Sequence, residues 1–146
     1  MAANPVSMHC CAILEFSSLI RAVLTSLFLL NLIAGCSAFD SSAPAISQQE
    51  LLQQIETKAD ILILDVRTPG EFSEGHIPGA FHIDHREIES RVKEIESFRN
   101  KPVVVYCYSG MRAGMVESYL IEHGFRQVKH LEGDWQAWEA SKLPSE

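Results

Sequence analysis

The chain of 146 residues is short of cysteine, of basic residues and of long apolar runs, and each shortage narrows what it can do. Its four cysteines, Cys10, Cys11, Cys36 and Cys107, contain no C-x-x-C pair, which argues against a thiol–disulfide redox motif or a thiolate zinc site. His76, His82, His85, His123 and His130 are scattered, without metal-ligand spacing to a carboxylate or thiol, so no metal site is expected. With 12 Lys and Arg against 19 Asp and Glu, the net charge is −7, which argues against nucleic acid as a partner. An anionic substrate would have to be drawn in by a local field rather than by the protein as a whole. The apolar stretch "AVLTSLFLLNLIAG" at 22–35 is shorter than the roughly 20 residues of a comfortable membrane-spanning helix.

That stretch follows Arg21 and ends in small residues at Ala34, Gly35 and Cys36, the order of an export signal. The "IAGC" ending resembles the lipobox of bacterial lipoproteins. The resemblance implies a lipidated Cys36 as mature N-terminus and a periplasm-facing membrane anchor, with Ser37 pointing to the outer membrane. The segment before it carries Glu15 and no basic residue up to Arg21, unlike a usual n-region, so a start downstream of Met1 is expected. Residues 1–35 therefore read as signal, 36–46 as lipidated cysteine and small, polar tether, and 47–143 as a single folded domain. Once Cys10 and Cys11 leave with the signal and Cys36 is lipidated, Cys107 is the one free thiol.

In the domain, Ser47 and Glu50 form a capping-box pattern ahead of a helix that turns Leu51, Leu52 and Ile55 inward. "ILILD" (61–65), "FHI" (81–83), "PVVVYC" (102–107) and "RQVKHL" (126–131) read as strands, and 67–80 as turns. Helices are expected over 86–98, with Ile88, Val92, Ile95 and Phe98 inward, and over 112–124, with Met115, Val116, Tyr119 and Leu120 inward and Gly124 as C-cap. A closing helix follows at 133–143, with Trp135 and Trp138 in the core. Alternating strands and helices make the fold class α/β, with a central, mainly parallel sheet flanked by helices.

Ligands of open α/β sheets sit beyond the carboxyl ends of the strands, and Cys107 lies there. Tyr108, Ser109, Gly110 and Met111 separate it from Arg112 and the next helix, too few for a wide loop but enough to wrap N–H groups inward as an anion-binding nest. A helix N-terminus and a cation favour a thiolate, and Arg112 supplies a permanent charge and a planar fork of donors. A nucleophilic Cys107 beside an anion pocket is the expectation.

These residues resemble the rhodanese-domain family of single-domain thiosulfate sulfurtransferases. "CYSGMR" matches its C-x-x-x-x-R loop, "DVRTPGEFSEGHIPGA" (65–80) its upstream signature, and "LEGDWQAW" (131–138) its C-terminal signature, except that Asp134 stands where a second glycine is usual. The resemblance implies that Cys107 takes the outer sulfur of thiosulfate or a related donor as a persulfide and passes it to cyanide or a thiol, with no metal or organic cofactor, while Tyr108, Ser109, Gly110, Met111 and Arg112 hold the anionic oxygens. The alternative is a persulfide carrier or sulfur-sensing module without efficient thiosulfate turnover. Related phosphatases and arsenate reductases use a loop one residue longer, so the length here favours sulfur. Asp65, Arg67, Glu71 and His76 are expected to brace loops, with Arg67 and Glu71 pairing across a turn, and Tyr108 and Met111 to shape the mouth and the choice of acceptor. Asp134 is expected only to complement the dipole of its helix.

Overall fold

The computed structural model describes residues 43–146. The expected signal, Cys36 and most of the tether lie outside these residues. Five parallel strands form one sheet: β1 (Ala45–Ile46), β2 (Leu62–Asp65), β3 (Phe81–His82), β4 (Pro102–Tyr106) and β5 (Gln127–Leu131), in the order β1-β5-β4-β2-β3. The helices are α1 (Gln48–Glu56), α2 (Pro69–Ser73), α3 (Ile88–Arg91) running into a 3-10 helix (Val92–Phe98), α4 (Met111–Glu122) and α5 (Asp134–Ala140). The expected α/β architecture is the one observed.

The central strand β4 explains itself. Its β-branched residues Val103, Val104 and Val105 are wholly buried, as a strand covered on both faces must be. Each such side chain contributes roughly 1.5–3 kcal/mol on burial. Alternation sorts them. Val103, Val105 and Cys107 enter a core with Leu64, Val116 and Leu120, whereas Val104 and Tyr106 enter another with Leu51, Leu131 and Trp138. Cys107 thus keeps the parity of its strand, and this parity sets it beneath the start of α4.

Four local readings need correction. The last residues of the expected tether are built into the sheet, because Ala45 and Ile46 pair with His130 and Leu131 and Ile46 is buried. The 86–98 segment is not one α-helix: Val92, Ile95 and Phe98 recur at intervals of three, which a 3-10 helix stacks on one face. In α4, Met115 is exposed and Ala113, Gly114 and Glu117 are buried instead, so the inward stripe is 113, 116, 117, 120. The reciprocal capping box forms not at Ser47, whose side chain only accepts from Glu50 N–H, but at Thr68 with Glu71, which turns "TPGE" into the start of α2. Gly124 follows α4 at φ +88°, and the bonds Phe125 N–H to Leu120 O and Gly124 N–H to Ile121 O close a Schellman motif.

Candidate active site

Cys107 leaves β4 with 1% exposure, so its sulfur lies at the floor of the loop rather than on its rim. The chain then turns through Tyr108 and Ser109, both exposed, to Gly110. Gly110 has φ +97°, a left-handed conformation that suits glycine. Space requires glycine as well: a Cβ there would meet Asp134 Oδ2 at 3.1 Å and His130 Cε1 at 3.6 Å. This turn directs the Gly110 N–H to Cys107 Sγ at 3.1 Å. Among the described residues, the N–H groups of Tyr108, Ser109, Met111 and Arg112 have no acceptor. The first intrahelical bond of α4 runs from Gly114 N–H to Gly110 O, so the last two belong to its open first turn. The loop thus offers backbone donors around a buried sulfur, the geometry of an anion-binding nest.

Arg112 does not stand free at this nest. Its Nη1 and Nη2 donate to the two oxygens of Glu71 at 2.7 and 2.8 Å, a bidentate pair that ties α4 to α2. The expected Arg67–Glu71 pair is absent: Glu71 bonds Thr68 and Arg112, and Arg67 turns the other way. The fork of Arg112 and the Thr68 bonds hold the Glu71 carboxyl well below the usual carboxylate range, against the effect of burial. Arg112 in turn is held charged first by Glu71 and, to a lesser extent, by Cys107.

Arg67 is 1% exposed and brackets Asp65, with Nε at 2.9 Å and Nη2 at 2.6 Å from Oδ2. Its Nη2 also donates to Gly75 O at 2.7 Å, and its guanidinium lies 4.4 Å from the Trp135 ring. His76 Nδ1 meets Phe72 O at 3.1 Å and its ring stacks on Phe72. Among the described residues, none of these side chains hydrogen-bonds to Cys107. Tyr108 lines an open cavity of about 370 Å³ with Arg67, Glu71, Glu74, Trp135 and Glu139. Met111 is 76% exposed and is not part of that lining. Of the expected pair at the mouth, Tyr108 alone borders the cavity.

Sequence reasoning missed what lies behind the loop. Asp134 is buried and reaches the nest from below, accepting the Cys107 N–H at 2.8 Å through Oδ1. Trp135 N–H donates to Cys107 O and Gln136 N–H to Tyr108 O, so the start of α5 clasps the first two residues of the loop. Asp134 Oδ2 also faces His130 Nε2 at 3.2 Å, and His130 Nδ1 faces Glu117 Oε1 at 2.6 Å. A signal existed in the sequence: Asp134 stands where a second glycine is usual, and the structure holds it at φ +53°, a conformation an aspartate tolerates when its side chain finds hydrogen-bond partners.

The fold and the loop define a class: a parallel α/β domain that presents one cysteine sulfur inside a short, donor-lined turn. A model of the rhodanese-like domain matches residues 47–141. The chain is 35% identical over 96 residues to thiosulfate sulfurtransferase GlpE of Pseudoalteromonas translucida, covering 66% of this chain and 89% of that protein. It is 35% identical over 99 residues to a sulfurtransferase of Allochromatium vinosum, covering 68% and 91%. Among solved structures, a rhodanese-related protein of Thermoplasma volcanium aligns with a TM-score of 0.62 at 27% identity, over 70% of this chain and 97% of that one. The chain belongs to the rhodanese-like domain family.

Proposed function

We propose that the protein is a sulfurtransferase that moves sulfane sulfur from thiosulfate, or a donor like it, through a persulfide on Cys107. The observation that carries this reading is the Gly110 N–H on Cys107 Sγ at 3.1 Å, within a loop whose remaining N–H groups are unpaired among the described residues. The Cys107 thiolate attacks the outer sulfur of thiosulfate. A new S–S bond forms, the sulfur–sulfur bond of thiosulfate breaks, and its electron pair leaves with sulfite. Cyanide or a thiolate then attacks the terminal sulfur, takes it, and returns the electron pair to Cys107. The loop N–H groups stabilise the negative charge of the persulfide as they do that of the thiolate. Because Cys107 is buried, the donor's terminal sulfur has to enter the loop, which suits a slim S–S bond.

The second reading, a persulfide carrier fed by a partner, has its own support. Arg112 gives two of its N–H donors to Glu71, and Glu71, Glu74 and Glu139 outnumber Arg67 in the lining of the cavity beside Tyr108, so the approach is acidic and does not favour a small dianion. One experiment separates the two. Under the first reading, the protein converts thiosulfate and cyanide into thiocyanate at steady state, and Cys107→Ser abolishes this. Under the second, a persulfide is found on Cys107 by mass spectrometry, with poor thiosulfate turnover. Turnover that survives in Cys107→Ser overturns both.

The expected setting, a lipid anchor on Cys36 at the periplasmic side of a bacterial membrane, in particular the outer one, belongs to the same proposal. Its support is the sequence "IAGC" followed by Ser37. Intact mass of the protein extracted from membranes tests it: an unlipidated chain that retains residues 1–35 contradicts the anchor.

A further inference from the structure

The mechanism just described makes no use of the buried charges behind the loop. Asp134 and Glu117 are 2% and 0% exposed, and between them stands His130. Glu117 Oε1 meets His130 Nδ1, and its other oxygen has no partner among the described residues. A buried carboxylate with one unpaired oxygen depends on its remaining partner for its charge to be tolerated. Asp134 spends Oδ1 on the Cys107 N–H and directs Oδ2 at His130 Nε2. Both ring nitrogens of His130 therefore face carboxylate oxygens, an arrangement only the doubly protonated ring satisfies by donation at both ends. These bonds, Asp134's first and Glu117's second, push His130 up to about 10 against the effect of burial.

The charged and titratable groups around this ring come from every neighbouring element. Glu117 faces it from α4, Asp134 from α5, and Cys107 lies across Asp134 at the end of β4. Arg112 sits in the first turn of α4 and is turned to Glu71, Lys129 is turned to Glu50, and the edge strand β1 contributes only Ala45 and Ile46. The nearest counter-charge that can balance Asp134 is therefore His130.

We propose that Asp134 and His130 are positioning residues for the sulfur-transfer step: Asp134 fixes the Cys107 amide from below, and the His130 imidazolium cancels the carboxylate's field so that negative charge on the sulfur is tolerated. This rests on the sulfurtransferase reading, yet its core concerns the charge state of Cys107 and is measured without turnover. A carboxylate bonded to the cysteine's own N–H would, left unbalanced, oppose a thiolate. The two residues should then act with opposite sign.

The test is the pH dependence of Cys107 alkylation by iodoacetamide in the full chain, followed at the Cys107 peptide by mass spectrometry. His130→Gln leaves Asp134 unbalanced and is expected to raise the pH midpoint by about one unit, whereas Asp134→Asn is expected to lower it by about one unit. The double variant should return close to the unsubstituted protein. Asp134→Gly, which accepts φ +53° freely, should shift the midpoint in the same direction as Asp134→Asn and covers the case that the amide fails to fold. If both single variants move the midpoint in the same direction, or if neither moves it while thermal stability falls, the pair is a structural brace and the proposal is overturned. Absence of thiosulfate turnover in the unsubstituted protein, with the opposite shifts intact in the variants, would overturn the donor assignment and leave this inference standing.

Discussion

The Cys107 loop is held by two charged assemblies of opposite character. In front, Arg112 and Glu71 pair across a part-exposed gap between α4 and α2. Behind, Glu117, His130 and Asp134 form a chain of charges almost without solvent. Ion pairs within reach of solvent are worth about 0–1 kcal/mol, a bidentate arginine–carboxylate pair toward the upper end, and weaken with salt. Breaking a buried one leaves a charge without a partner and costs about 3–5 kcal/mol. The front pair can therefore yield to an entering anion, while the back assembly cannot move without loosening the fold. A site that must admit a substrate and keep its nucleophile still has use for both.

Predictions follow the same contrast, from the largest effect down. Cys107→Ser should remove thiocyanate formation entirely while leaving the thermal unfolding midpoint almost unchanged. His130→Ala should destabilise the domain by about 3–5 kcal/mol in urea titration, because it leaves the buried Glu117 and the His130-facing oxygen of Asp134 without their shared partner. A loss below about 1 kcal/mol would show that the rear assembly behaves like the front one.

A pH series should separate the two assemblies without substitution. His130 is raised in the folded state, so its contribution to stability is complete below about 6.5 and is lost as the pH rises toward about 10. Glu71 is depressed, so its contribution is present above the ordinary carboxylate range and is lost as the pH falls below it. Urea midpoints across this range should show an alkaline loss that His130→Gln removes and an acid loss that Glu71→Gln reduces. Thr68→Ala, which deletes half of the α2 capping box, should cost about 1 kcal/mol. Arg112→Ala should change stability least, by less than about 1 kcal/mol, yet raise the KM for thiosulfate, since its part lies in handling the anion. A KM unchanged in that variant would mean that Arg112 serves only Glu71.

Much of this was readable in the chain. The short apolar runs gave β2 and β4, and the spacing from Cys107 to Arg112 gave the loop, because strand burial and turn length are local properties. Partners remote in sequence were not readable. The spacing in sequence points Glu71 to Arg67, four residues away, whereas it pairs with Arg112, which is 41 residues distant. The sequence around Asp134 points only to a helix-dipole charge, whereas its carboxylate accepts the Cys107 amide, 27 residues away. The edge strand β1 was invisible because two residues carry no period; only β5 beside them makes a strand.

By itself the sequence determined that the chain forms an alternating α/β domain and that its cysteine leaves a buried strand into a tight, glycine-containing turn. It did so because hydrophobic period and backbone freedom act over a few residues. The tertiary structure decided which charges face that turn. Packing α4 and α5 against β5 brought Glu117, His130 and Asp134 together beneath Cys107, and a side chain's electrostatic role is set by what lies within a few ångströms in space.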